Sequence, residues 1–174
     1  DRYRTGLAVF ERFTTARLVF PDGLKMDIAT TRRESYAQPA LLPTVQPASI
    51  EEDLYRRDFT INAIAVQLNL PQFGRVLDPY GGWRDLQARS IRLLHAGSFQ
   101  DDPTRIFRAI RFEQRFGFHL ERTTARLLRQ AASTNLSHRL SGPRLQNEIL
   151  LLFAERDPAH AIARLEQLKL LRFL

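Results

Sequence analysis

The hydrophobic pattern of this chain changes once, near residue 95, and that change limits the folds that the chain can adopt. Before residue 95, short apolar runs alternate with polar residues and end at turn residues, which is typical of β-strands. After it, apolar residues recur at the spacing of three and four that places them on one face of a helix. The sequence therefore predicts an α+β protein, with a small sheet and helices over residues 1–95 and an all-helical part over residues 96–174.

Turn residues and prolines predict where individual elements begin and end. Pro21-Asp22-Gly23 lies between two apolar runs, at 16–20 and 24–29, and predicts a β-hairpin. Three prolines predict a loop over 38–49. A glycine at 117 follows a helical pattern that starts near residue 101, so a helix should end there. Further helices are predicted over 121–132, 143–154 and 158–171.

The composition favours a nucleic-acid partner and excludes several chemistries. Lysine and arginine total 26 against 19 acidic residues, and only Lys25 and Lys169 are lysines. Arginine binds phosphate bidentately and stacks on bases, so the excess suggests a polyanionic partner. A general preference of the organism for arginine explains the same excess equally well.

Without cysteine, the chain has no disulfide, thiolate zinc site or cysteine nucleophile. The absence of cysteine also fits a reducing compartment, and we expect a cytoplasmic protein. The apolar runs fall far short of the ~20 residues that a bilayer requires, so we expect no membrane partner.

Asp27 is a candidate site residue because strand interiors disfavour aspartate. It lies in the run Lys25-Met26-Asp27-Ile28-Ala29, on the face opposite Met26 and Ile28. One interpretation is a solvent-facing carboxylate on an edge strand. The other is a carboxylate that helps to hold Mg²⁺, a cation that prefers oxygen ligands.

The densest cluster of charged and polar residues is Arg-Arg-Asp-Phe-Thr-Ile-Asn-Ala at 56–63. Such a cluster is most simply a salt-bridged turn. Alternatively, its arginines contact phosphates while Asp58 accepts a hydrogen bond from a sugar hydroxyl. The octet by itself does not decide between the two.

Residues 101–112, at the start of the predicted long helix, carry the most chemical information. Asp102 is a good helix cap, but it also lies three residues before Arg105, so the two side chains share one face of the helix. A carboxylate beside a guanidinium complements adenine and cytosine, whose pairing edges place an amino donor next to a ring-nitrogen acceptor. Guanine and uracil would mismatch it, at a cost of roughly 1–3 kcal/mol for each group left unpaired. Arg108 and Arg111 continue at a spacing of three, either toward phosphates or as a solvated basic stripe.

Together these segments resemble the class II tRNA nucleotidyltransferases and bacterial poly(A) polymerases, within the polymerase-beta-like nucleotidyltransferases. The matching stretches occur in the family's order and cover most of the chain: 26–36, 53–63, 77–82 with Asp85-Leu86, 101–118, and 141–144 with Glu148. The resemblance implies a head with a small antiparallel sheet and helices, followed by helical neck and body domains. It also implies transfer of nucleotides from ATP or CTP to an RNA 3′ end without a nucleic-acid template, with Mg²⁺ as cofactor.

The resemblance also implies a role for each matching residue. Asp27 takes the place of the third carboxylate of the metal site, and Asp102 with Arg105 that of the amino-acid pair that reads the incoming base. Arg108 becomes a candidate phosphate contact. Arg57 and Asp58, with Asn62 close by, fall where the family recognises the ribose, and Arg144 with Glu148 matches a motif that we interpret as a support of the neck.

One family motif has no counterpart. The Gly-Gly loop, Arg-Asp and Asp-x-Asp pair should precede residue 1, and no Asp-x-Asp occurs in the 174 residues. Those two carboxylates carry both metal ions of an in-line displacement. We therefore expect this chain to be a piece of the enzyme, and inactive by itself.

The sequence indicates the family more clearly than it indicates the substrate. The segment 36–43 lacks the Asp-Gly-Arg-Arg-Pro pattern of many enzymes that build all of CCA, and the chain is more similar to the A-adding enzymes, which act on the tRNA 3′ end. Addition of all of CCA, addition of CC, and poly(A) synthesis are alternatives. A different class of function is a non-catalytic RNA-binding module that grips a tRNA acceptor stem through its arginine-rich helices.

Overall fold

In a computed structural model of the chain, the described residues are 6–11, 14–134, 136 and 139–171. The front part contains β1 (Gly6–Phe10), β2 (Thr15–Val19), β3 (Lys25–Ala29), β4 (Arg32–Ser35), β5 (Thr44–Pro47) and helix α1 (Ile50–Tyr55). It continues with a 3₁₀ turn (Thr60–Asn62), β6 (Ala65–Val66), β7 (Val76–Leu77), α2 (Gly82–Gln87) and β8 (Ser90–Ile91). The rear part contains α3 (Ser98–Asp101), α4 (Thr104–Phe116), β9 (His119–Leu120), α5 (Arg122–Ser133), α6 (Gly142–Phe153) and α7 (Pro158–Gln167).

The hairpin predicted around Pro21-Asp22-Gly23 is confirmed. Strands β2 and β3 pair antiparallel, with Leu18 opposite Met26, and β1 completes a three-stranded sheet in the order β1-β2-β3. Strand β3 therefore lies at an edge of this sheet, with Asp27 directly opposite Arg17.

The loop predicted over 38–49 is wrong in its second half. Residues 44–47 form β5, which pairs antiparallel with β4 in a separate two-stranded sheet. Among the described strands, β5 pairs with β4 alone, so Pro47 can take the last position of the strand without breaking a second ladder. Proline content alone does not separate an edge strand from a loop.

Helix α1 begins at a capping box, in which the Ser49 hydroxyl accepts from the Glu52 N–H and the Glu52 carboxylate accepts from the Ser49 N–H. This pair satisfies two backbone donors at the start of a helix of only six residues. The chain leaves α1 at Arg56 and runs directly into the residues of the candidate site.

A close approach between α2 and the 3₁₀ turn explains one glycine. A Cβ atom on Gly82 would lie 2.1 Å from the carbonyl oxygen of Thr60, so no other residue fits there without displacing the backbone. The Thr60 hydroxyl donates to Asp85 of α2 over 2.6 Å, and its N–H donates to the Arg92 carbonyl. The turn that follows Asp58 is thus held on two sides.

The rear helices confirm the predicted pattern, except that α7 ends at Gln167, four residues before the predicted end at 171. Helix α4 ends at Phe116, and Gly117 caps it with the positive φ of 61° that favours glycine. In the described part of the chain, none of the helices is both long and apolar enough to cross a membrane.

Helix α4 is the centre of the hydrophobic core. Its inner residues Ile106, Phe107 and Ile110 are fully buried, and they belong to one cluster with Phe59 and Ile91 of the front part. The same cluster includes Leu128 of α5, Leu152 of α6 and Leu165 of α7. The α+β architecture is confirmed, and the division into domains at residue 95 stays a prediction.

Candidate functional site

A cavity of about 500 Å³ lies where the start of α4 meets the end of α1 and the turn after it. All six residues that the sequence predicted for nucleotide binding line this cavity: Arg57, Asp58, Asn62, Asp102, Arg105 and Arg108. The remaining lining residues are Glu34, Tyr36, Arg56 and Phe112. The fold therefore brings Asp58 and Arg108, which lie 50 positions apart in the chain, to the same cavity.

The Asp102 carboxylate is anchored through one of its two oxygens. Its Oδ1 accepts hydrogen bonds from the N–H and the hydroxyl of Thr104, at 3.0 and 2.7 Å, and from Nη2 of Arg144 at 2.8 Å. Arg144 in turn donates to the carbonyl oxygen of Ala40, so it ties Asp102 to a distant part of the chain. Among the described residues, no donor is bonded to Oδ2, which leaves that oxygen available to a ligand.

Arg105 is held in a similar way, by two hydrogen bonds to other residues. Its Nη1 donates to the Ser98 hydroxyl oxygen at 2.5 Å, and its Nη2 donates to the Arg56 carbonyl oxygen at 2.6 Å. Asp102 and Arg105 form no hydrogen bond or ion pair with each other, so neither neutralises the other. An arginine has five N–H donors, and two such bonds leave three for a ligand. The pair can thus offer one acceptor and several donors to the same cavity.

The Asp58 carboxylate accepts four hydrogen bonds, two on each oxygen. Its Oδ1 accepts from the Phe59 N–H at 2.8 Å and from Nδ2 of Asn62 at 3.0 Å. Its Oδ2 accepts from Nε and Nη2 of Arg108, at 2.8 and 2.6 Å. Arg108 therefore directs two of its three nitrogens at a carboxylate, while its Nη1 lies 3.9 Å from Glu148.

Arg57 reaches the cavity from the end of α1, where Asp53 holds it. The buried Asp53 carboxylate accepts hydrogen bonds from the Arg32 N–H, from Nε and Nη2 of Arg56, and from Nη2 of Arg57. Burial by itself would raise the pKa of Asp53, but these hydrogen bonds, led by those of Arg56, outweigh it and hold the pKa below its usual range. Asp53 stays ionised at neutral pH and orients both arginines.

The other four lining residues, Glu34, Tyr36, Arg56 and Phe112, were not predicted as site residues, although all lie inside the motifs quoted above. Arg56 donates to Glu34 over 2.9 Å, and the Tyr36 hydroxyl donates to the other oxygen of Glu34 over 2.8 Å. Burial, with the Glu34 charge beside the hydroxyl, raises the pKa of Tyr36, so the phenol remains protonated. The only sequence signal for Tyr36 was its place two residues after Glu34, an acidic residue in a strand. That spacing does not show which cavity the tyrosine ring lines.

Arg111 corrects one sequence interpretation. Its side chain is only 7% exposed and lies between Glu148 and Glu155, at 3.6 and 3.5 Å, so it is not part of a solvated basic stripe. It does not line the cavity either. Desolvation raises the pKa of Glu148, and the nearby Arg108 and Arg111 oppose that shift only in part. Glu148 is buried within 4 Å of Arg108 and Arg111 but does not line the cavity, and its role as a support of the neck stays a prediction.

Asp27 lies apart from the cavity. It is exposed on β3, and its two oxygens accept from Nε and Nη2 of Arg17 at 2.6 and 2.8 Å. The hydrogen bond from Arg17 lowers the pKa of Asp27. No group of three or more histidine or acidic side chains in the described ranges is arranged to hold a metal ion.

Comparisons with known proteins agree with the geometry. A family model for the poly A polymerase head domain matches residues 1–92. A second model, described as "Probable RNA and SrmB- binding site of polymerase A", matches residues 117–174. The A-adding tRNA nucleotidyltransferase of Geobacter sulfurreducens is 53% identical over 163 residues, which make up 94% of this chain and 18% of that protein.

Two solved structures show the same fold at high sequence identity. An apo form of a CCA-adding enzyme superimposes with a TM-score of 0.90 at 49% identity, over 98% of this chain and 40% of that one. The Thermotoga maritima CCA-adding enzyme in complex with tRNA has a TM-score of 0.80 at 44% identity, over 98% of this chain and 38% of that one. The chain thus spans less than half the length of each of these three proteins.

Proposed function

The chain belongs to the family of the poly A polymerase head domain, and on that premise we propose that the protein adds A, or C and A, from ATP or CTP to the 3′ end of tRNA without a nucleic-acid template. Two similarities support tRNA as the acceptor: the 53% identity to an A-adding tRNA nucleotidyltransferase and the fold shared with an enzyme solved in complex with tRNA. We place this activity in the cytoplasm.

One observation carries the proposal: Asp102 and Arg105 line the same cavity, and each is anchored by hydrogen bonds that leave part of its polar group without a partner among the described residues. The free Oδ2 of Asp102 can accept from the exocyclic amino group of adenine or cytosine. The remaining N–H donors of Arg105 can reach the adjacent ring nitrogen. Guanine and uracil carry a carbonyl and a ring N–H in these places, so both contacts would fail. The pair thus acts as a substitute for a complementary base.

The other lining residues suit the remainder of a nucleotide. Asp58 and Asn62 are assigned to the ribose, with Arg57 beside them at the end of α1. Arg56, Arg57, Arg105 and Arg108 give the cavity four cations against the carboxylates of Glu34, Asp58 and Asp102, an excess that favours an anionic ligand. The assignment of Arg108 to a phosphate belongs to this proposal, as does the assignment of Asp27 to Mg²⁺. A bound Mg²⁺ would stabilise negative charge on the triphosphate.

The specificity for A is the narrower part of the proposal. Adenine and cytosine present the same donor and acceptor pattern to Asp102 and Arg105, so this pair does not choose between them. The similarity to an A-adding enzyme favours single A addition over addition of CC, addition of all of CCA, and poly(A) synthesis.

A second candidate function is RNA binding without catalysis. The match of residues 117–174 to an RNA-binding segment favours it, because helices α5 to α7 lie within that match. Binding of this kind depends on phosphates, so it should weaken steeply with salt and show little preference among bases.

Titration calorimetry with the four ribonucleoside triphosphates separates the two candidates. We expect the chain to bind ATP and CTP at least about tenfold more tightly than GTP and UTP, since one charge-assisted hydrogen bond accounts for that factor. Substitution Asp102→Ala should abolish the difference. Equal, weak, salt-sensitive binding of all four nucleotides would refute base recognition and leave the RNA-binding function.

A transfer assay then tests the acceptor. With the complete protein in single turnover, A addition predicts one nucleotide on tRNA that ends in CC, and none on tRNA that lacks all three terminal nucleotides. The same assay on the 174-residue chain should give no product, because its sequence contains no Asp-x-Asp pair. Extension of both tRNAs by the complete protein would contradict the A-adding assignment.

A further inference from the structure

Ser98 is a fully buried polar residue that does not line the candidate cavity. It is the first residue of the four-residue helix α3, which ends directly before Asp102. Its hydroxyl oxygen accepts from Nη1 of Arg105 at 2.5 Å. Its carbonyl oxygen accepts from the N–H of Asp102 at 3.2 Å. Ser98 therefore contacts both members of the pair without access to a ligand.

The bond from Arg105 to Ser98 is needed because Arg105 is itself only 6% exposed. A buried guanidinium must have acceptors for its N–H groups, since each one left unpaired is costly. In the described part of the chain Arg105 has two acceptors, the Ser98 hydroxyl and the Arg56 carbonyl. They contact different nitrogens at one end of the planar group. Together the two bonds set the plane and direction of the guanidinium.

We infer that Ser98 is a positioning residue for base selection, which acts through Arg105 rather than on the nucleotide. This rests on the proposed function, because it assumes that Arg105 donates to the ring nitrogen of the incoming base. Without the Ser98 hydroxyl, the Arg105 guanidinium can rotate about its remaining bond to the Arg56 carbonyl. Its free donors then lose the alignment with the Asp102 oxygen that a pairing edge requires. The Asp102 backbone bond survives, since it uses the Ser98 carbonyl.

The test is the ratio of nucleotide affinities in Ser98→Ala, measured by titration calorimetry on the 174-residue chain. We expect the preference for ATP over GTP to fall by about tenfold, the effect of one hydrogen bond to a charged group. Affinity for inorganic triphosphate, which has no base, should not change. Ser90→Ala is the matched control, because Ser90 is also buried but forms no hydrogen bond with Arg105. Its preference should equal that of the unmodified chain.

A second variant guards against a loss of folding. Ser98→Cys is close to serine in size and supplies only a weak acceptor, so it should retain the melting temperature and still lose most of the preference. A purely structural role for Ser98 would lower all affinities together, triphosphate included, and would overturn the inference. So would an unchanged ratio in a folded Ser98→Ala or Ser98→Cys chain. If the unmodified chain itself shows no preference for ATP over GTP, the proposed function fails first.

Discussion

Replacement of Asp102 by asparagine should reverse the polarity of one contact and leave the others in place. The side-chain oxygen of asparagine can keep the bonds that Thr104 and Arg144 donate to Oδ1. The amide nitrogen then occupies the position of the free Oδ2 and presents a donor to the cavity. An amino group of adenine or cytosine meets a donor there, whereas the carbonyl of guanine or uracil meets a partner.

The magnitude follows from the bond that is lost. A hydrogen bond to a charged acceptor contributes about 1.5–3 kcal/mol net, so Asp102→Asn should weaken ATP binding by about 10- to 150-fold. Binding of GTP and UTP should weaken less or become tighter, although the donors of Arg105 still face the ring N–H of these bases. Asp101→Asn is a matched control, because Asp101 is the adjacent carboxylate and lies 3.7 Å from His95 instead of lining this cavity.

Titration calorimetry with all four nucleotides at one salt concentration measures these ratios. An unchanged order of affinities in a folded Asp102→Asn chain would refute the base-reading role of Asp102. A parallel loss for all four nucleotides would also refute it, because it would mean that Asp102 only supports the fold. Asp101→Asn should leave both the order and the values as they are.

Three further predictions concern the support of the site. Arg144→Met should weaken ATP binding by about tenfold while inorganic triphosphate binds as before, because Asp102 loses the anchor on its Oδ1; an equal loss for both ligands in calorimetry would contradict this. Asp53→Ala should lower the free energy of unfolding at pH 7 by about 3 kcal/mol, since two arginines lose their buried partner. Because folding lowers the pKa of Asp53, its contribution to stability is complete above the unfolded pKa of about 3.9 and disappears as the pH falls through the folded value. In urea unfolding, the difference in unfolding free energy between variant and parent should therefore shrink below about pH 4. A difference that stays constant with pH would exclude an ionic origin. Gly82→Ala should destabilise the chain by at least about 1–3 kcal/mol because its Cβ meets the Thr60 carbonyl, whereas Gly142→Ala, with open space around it, should not, and equal melting temperatures would contradict this.

The sequence predicted local structure well where a single residue type forces it. The hairpin at Pro21-Asp22-Gly23 and the helix end at Gly117 depend on backbone geometries that few residues adopt. Strand β5 was missed because Pro47 is excluded from central strands but accepted in this one, and only the pairing with β4 shows the difference. The conformational preferences of single residues do not show which strands will pair.

The candidate site was predictable as a set of residues but not as a geometry. Asp102 and Arg105 could be placed on one face of a helix from their spacing. Their anchors could not, because Arg144 lies 42 positions from Asp102, and the Arg56 carbonyl lies 49 positions from Arg105. The sequence did not identify Ser98 for a related reason. A serine at the start of a short polar helix is usually interpreted as a helix cap, and only the structure shows that this one is buried.

A crystal structure of the chain with bound ATP tests the central claim most directly. The account predicts the adenine amino group within hydrogen-bond distance of Oδ2 of Asp102, and the adjacent ring nitrogen within reach of a donor of Arg105 still bonded to Ser98. Adenine bound elsewhere, or bound in this cavity with its pairing edge turned to solvent, would contradict it.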